Sequence, residues 1–165
     1  MNFTKAFTAE LKNEALNTRK ILERVPSESL TWKPHEKSMT LGRLASHVAE
    51  LPGWAKMTLE TEELNFETAN YTPPAIESTA DILKIFDNAF AGAIASFENL
   101  ADDSVYTQNW KLRQGDHVLL DLPKHVVIRS MVLNHLVHHR GQLSVYLRML
   151  DIPIPGMYGP SADEM

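Results

Sequence analysis

From Val126 to Leu150 the sequence runs VVIRSMVLNHLVHHRGQLSVYLRML. Ile128, Val132, Leu143, Tyr146 and Leu150 fall on one row at helical spacing, as on a helix that packs against a core. His135 and His139 occupy that same row, where apolar residues are expected. A separation of four sets two rings one turn apart on a shared face, within reach of one ion. Pro123 suits the first turn of this helix, and Pro153 and Pro155 prevent its continuation.

Three more helical stripes lie upstream. Phe3, Phe7, Leu11, Ala15, Leu22 and Val25 share a face, which Pro26 ends. Ser38 or Thr40 can cap a second helix carrying Leu41, Leu44, Val48, Leu51, Ala55 and Leu59, with a kink or break expected at Pro52-Gly53. Ser78-x-x-Asp81 is a capping signal for a third, along Ile82, Phe86, Ala89, Ala93, Phe97 and Leu100. Residues 104–122 alternate in character around Gln114-Gly115, as a short hairpin or an extended crossover would. The expected fold is all-α: one domain over residues 1–165, a four-helix bundle with a long crossover between the third and fourth helices.

The 165 residues are 44% apolar and 22% charged, with a formal charge of −5. That charge provides no basic field to attract phosphates, which argues against nucleic acid as a partner. No apolar run approaches the roughly 20 residues a membrane helix needs. The chain has no cysteine, so it has neither a thiolate metal site nor a thiol nucleophile of its own. The N-terminal stretch reads as an amphipathic helix with internal charges, unlike a secretion signal, and the expected location is cytoplasmic.

A third ring is available in the second helix. His47 lies three residues after Leu44 and four before Leu51, on the apolar side. One histidine on an apolar face is more often a hydrogen-bonded core residue than a ligand. A pair four apart is a stronger signal, because two buried imidazoles need partners. His138 keeps a rival pairing with His135 open, although the stripe favours His139. His35, His117 and His125 fall in or beside loops and read as surface residues. The pair lacks the glutamate of the helical H-E-x-x-H zinc motif, so that mechanism does not transfer.

The segments LASHVAELPGW around His47 and NHLVHHRGQLSVYLRMLDIPIPGMYGPSADE from Asn134 to Glu164 resemble the DinB/YfiT-like four-helix-bundle proteins. The resemblance extends over essentially the whole chain. It implies a metal triad of one second-helix and two fourth-helix histidines, here His47, His135 and His139. The cofactor would be a divalent cation, zinc or nickel first, with iron or manganese as alternatives. The resemblance also implies a transferase that uses a low-molecular-weight thiol such as bacillithiol against a small electrophile, and a homodimer. A non-catalytic metal-binding bundle and a metal-dependent hydrolase are the other readings. Arg140 and Gln142 could orient a ligand or brace a ring, or serve as a salt bridge and a helix contact. Gly141 is expected to allow close packing, Glu50 is more often a solvated helix residue than the holder of a ring N–H, and Trp54, Met57 and Trp110 could line a pocket or fill the core. No catalytic side chain is identified.

Overall fold

The computed structural model describes residues 2–165. Helix α1 (Phe3–Leu22) starts at Asn2, whose side chain accepts the Lys5 N–H at 2.7 Å. Its buried face carries Phe7, Leu11, Ala15, Ile21 and Leu22, and also Glu14 and Thr18. Helix α2 (Leu41–Glu50) is capped by Thr40, which accepts the Arg43 N–H, so Thr40 fills the role offered to Ser38. Pro52 has no amide hydrogen to donate, and the chain restarts there as α3 (Gly53–Glu60). Helix α4 (Thr79–Glu98) opens with a reciprocal capping box between Ser78 and Asp81.

The final helical run comprises α5 (Lys124–Val127), a π segment (Ile128–Asn134) and α6 (His135–Met149). The wider π winding shifts the side-chain faces from those of a uniform α-helix. The buried row of α6 therefore holds Leu136, Arg140, Leu143 and Leu147, with His139 beside it and His135 half-buried at the edge. This differs from the expected row, which placed both histidines in the middle of the stripe.

One core cluster joins α1, α2, α4 and α6 through Leu22, Leu44, Val48, Phe86, Leu136 and Leu143. A second joins α1, α3, α4 and the π segment through Phe7, Leu11, Leu59, Phe97 and Val132. Leu136 and Leu143 are wholly buried, and truncating either to alanine should cost about 2–5 kcal/mol.

The all-α expectation is corrected by three strands. The link before the last helix is folded rather than merely extended. It contains a 3-10 turn (Asp103–Thr107) followed by the antiparallel strands β2 (Asn109–Gln114) and β3 (His117–Pro123). A short strand, β1 (Glu63–Asn65), pairs in parallel with β2, giving the order β1-β2-β3. Gly115 makes the hairpin turn at φ +58°, where a Cβ would lie 2.9 Å from the Glu67 carboxylate. Alternation along β2 turns Trp110 and Leu112 inward, against Val127, Met57 and Leu64. The molecule is mostly helical, and the sheet covers the side of α3 and α5. No helix among the described residues is long and apolar enough to cross a membrane.

Candidate metal centre

Helices α2 and α6 pack against one another and bring His47 opposite His135 and His139. One ring nitrogen from each of the three lies within 4.8 Å of the other two. The converging atoms are Nε2: His139 to His135 is 2.8 Å, and His47 to His135 is 3.4 Å.

The outward nitrogens of His135 and His139 each face an oxygen. His135 Nδ1 is 3.3 Å from the Met131 carbonyl oxygen, and His139 Nδ1 is 2.7 Å from Gln142 Oε1. Oxygens of these kinds only accept, so the tautomer with its hydrogen on Nδ1 satisfies each contact. In the neutral rings both Nε2 atoms then present lone pairs to one another at 2.8 Å. A cation between them, an added proton or a metal ion, would satisfy both. The environment disfavours the proton. Burial first, then the neighbouring rings of His139 and His135 and the Arg43 guanidinium, push the His47 imidazole down to about 4. Burial also lowers His135 and His139, against the opposing effect of their Nδ1 hydrogen bonds. Three neutral imidazoles with converging lone pairs fit a divalent ion and could hold one. The bonds to Met131 and Gln142 are the outer hydrogen bonds that orient imidazole ligands.

His138 is exposed, with its ring centroid 4.9 Å from that of His139 and outside the cluster. His35 and His117 are exposed as expected. His125 corrects the surface reading: it is half-buried, stacks on Phe3 and bonds the Tyr106 carbonyl oxygen through Nδ1 at 2.9 Å. Glu50 bonds none of the rings. It accepts from Tyr71 at 2.9 Å and from Arg43 at 3.3 Å. Arg140 is held in a buried pair with Glu14 at 2.6 Å, so the salt-bridge reading is the one that applies. Gly141 has open space where a Cβ would stand, contrary to the expected close packing. Trp110 belongs to the core and donates to Thr61 at 3.0 Å.

Trp54 stands at the centre's edge, its ring centroid 6.2 Å from that of His47 and 5.7 Å from that of His135. With Met57, Leu64, Phe66, Ala69, Tyr71, Arg43 and His47 it encloses a cavity of about 300 Å³. Sequence reasoning overlooked Arg43, although its place four residues before His47 puts the two on one helix face. Tyr71 carried no comparable signal, because only tertiary folding brings it to the site.

The fold and site together define a mostly helical protein with three histidines that could share a metal ion. The chain belongs to the DinB family, whose model matches residues 1–165. It is 27% identical over 154 residues to a Bacillus subtilis (strain 168) protein described as uncharacterized protein YrdA, a match covering 92% of this chain and 85% of that one. Among solved structures it is similar to a DinB-like protein from Bacillus cereus, with a TM-score of 0.72 and 23% identity over 93% of this chain and 97% of the other. A DinB-like protein from Bacillus subtilis, YjoA, has a TM-score of 0.64 and 17% identity over 90% of this chain and 96% of its own. These two likenesses concern the fold.

Proposed function

We propose that His47, His135 and His139 bind a divalent cation, zinc or nickel before iron or manganese, and that the protein is a transferase joining a low-molecular-weight thiol to a small electrophile. The observation that carries the metal part of this reading is the convergence of the three Nε2 atoms, while the outward Nδ1 atoms of His135 and His139 face oxygens. A divalent ion on three neutral imidazoles keeps its full charge, which lowers the pKa of a thiol or water brought to it.

The chain's own residues hold the rest of the site. Gln142 and the Met131 carbonyl oxygen fix two ring orientations. Trp54 and Met57 keep one side of His47 apolar, which limits water there. With no cysteine in the sequence, the sulfur has to come from a cosubstrate. In the reaction a sulfur–carbon bond forms, the leaving group departs with its electron pair, and the thiol proton passes to solvent. A hydrolase would want a carboxylate or comparable base at the rings, and the one nearby, Glu50, is bound to Arg43 and Tyr71.

The proposal includes a cytoplasmic location and a homodimer. Leu16, Phe86 and Phe90 line an apolar groove between α1 and α4 that suits a second copy. Sedimentation analysis should give twice the chain mass, and a monomer at micromolar concentration would remove that part.

The reaction is tested with 1-chloro-2,4-dinitrobenzene and bacillithiol or cysteine, using zinc- and nickel-loaded protein. The expected result is thioether and chloride formation faster than with thiol alone, abolished in His139→Ala. Metal retained without any turnover would favour a non-catalytic metal-binding protein. Cleavage of an activated ester without thiol would favour a hydrolase.

A further inference from the structure

We infer that the cavity beside His47 is a binding site for an uncharged, apolar molecule the size of one or two aromatic rings, and that it discriminates against anions. The inference rests on the proposed reaction only in taking that molecule to be the electrophile.

The walls are Trp54, Met57, Leu64 and Phe66, closed by Ala69 and Tyr71 from the segment between β1 and α4. At about 300 Å³ the space is twice the roughly 150 Å³ known to admit a benzene ring. It also lies at the small end of ligand pockets. Phe66 and Tyr71 are 46% and 58% exposed, which places two large aromatic side chains at the mouth. Trp54 contributes to the wall and meets His47 and His135 edge-on. A molecule stacked on Trp54 is therefore held next to the converging nitrogens.

The selectivity follows from Arg43, the cavity's one guanidinium. Its Nη1 donates to Glu50 Oε2 at 3.3 Å and to Ser46 Oγ at 3.2 Å, and its Nη2 donates to the Tyr71 hydroxyl at 3.2 Å. Tyr71 in turn donates to Glu50 at 2.9 Å. The positive charge is thus matched inside the protein, and Tyr71 is tied across the cavity by the same bonds. A carboxylate entering the cavity would lose its water and compete with Glu50 for Arg43. A neutral ring loses nothing comparable.

Calorimetric titration with 2-naphthamide and 2-naphthoate tests this in zinc-loaded and in chelator-treated protein. In the chelator-treated protein the amide should bind at least about tenfold more tightly than the anion, and with zinc bound the ion's charge also draws the carboxylate and should narrow the difference. Met57→Trp, which fills the cavity, should abolish amide binding, with circular dichroism confirming a folded helix content. Glu50→Gln leaves Arg43 without its counter-charge and should raise naphthoate affinity until the difference narrows. Equal binding of both probes to the chelator-treated wild type, binding of neither, or unchanged amide affinity in folded Met57→Trp overturns the inference. Amide selectivity in a protein that takes up no zinc would uphold the cavity's role while removing the transferase reading. Zinc uptake without amide selectivity in the chelator-treated protein would remove the cavity's role and leave the metal site standing.

Discussion

His139 and Arg140 are neighbours in α6, both buried, and they lead to polar clusters of opposite kinds. Around Arg140 the chain supplies a partner for both terminal nitrogens. The guanidinium donates to the Glu14 carboxylate at 2.6 Å, the Glu14 carbonyl oxygen at 3.1 Å and Thr18 at 3.0 Å, and it also bonds the Tyr158 hydroxyl. Tyr158 donates to Glu14 at 2.7 Å. Charge and hydrogen bonds balance, so this cluster ties the C-terminal segment and α1 to α6. Around His139 the rings turn Nε2 toward Nε2 at 2.8 Å, where a cation could sit. The first cluster serves the fold, and the second could take an ion from outside the chain.

The largest effect should come from breaking the satisfied side. Arg140→Ala strands a buried carboxylate and should destabilise the protein by about 3–5 kcal/mol in urea unfolding. Metal bound per folded molecule should remain unchanged at low denaturant. A loss below about 1 kcal/mol would mean that Glu14 is not held as described.

On the unsatisfied side, Gln142→Leu removes the acceptor for His139 Nδ1 and should weaken zinc affinity by about 10–100-fold. Unfolding of the metal-free protein should change little, and a competition assay with a chelating dye reads the difference. Unaltered affinity would show that Gln142 does not orient the ring.

The pH dependence follows from the lowered histidines. With His47 pushed down to about 4, protons compete weakly for the lone pairs, so zinc should be retained below pH 6, where ordinary imidazoles begin to release it. The metal-free protein should lose stability as the pH falls from about 6.5 toward 4. Over that range the unfolded chain binds protons that the folded site refuses. Zinc release centred above pH 6.5 would contradict the lowered values.

The smallest effect is expected at the helix surface between the clusters. Gly141 is exposed with free space for a Cβ, so Gly141→Ala should stabilise by about 0.5–1 kcal/mol. A destabilised variant would restore the close packing expected from sequence.

The contrast also explains what could be read from sequence. The histidine spacing is local: positions 135 and 139 share a face in any helix, and His47 follows the apolar rhythm of α2. The break at Pro52 and the capping box at Ser78 are equally local. Arg140 and Glu14, by contrast, are 126 residues apart, and no periodicity pairs them. A sign was available, since Glu14 and Thr18 stand at helical spacing between Leu11 and Leu22 on the apolar side of α1. The π segment was hidden because Ile128, Val132 and Leu136 suit an α-helix equally well. Strand β1 covers only Glu63–Asn65 and gains its identity from parallel pairing with β2, too short and too distant for alternation to show.

Metal content tests the central claim most directly, measured by mass spectrometry on untagged wild-type protein beside His47→Ala and His139→Ala. About one equivalent in the wild type and little in either variant is the predicted result. Wild-type protein that takes up no metal after exposure to zinc, nickel or manganese and dialysis would contradict it, leaving the three histidines as core residues.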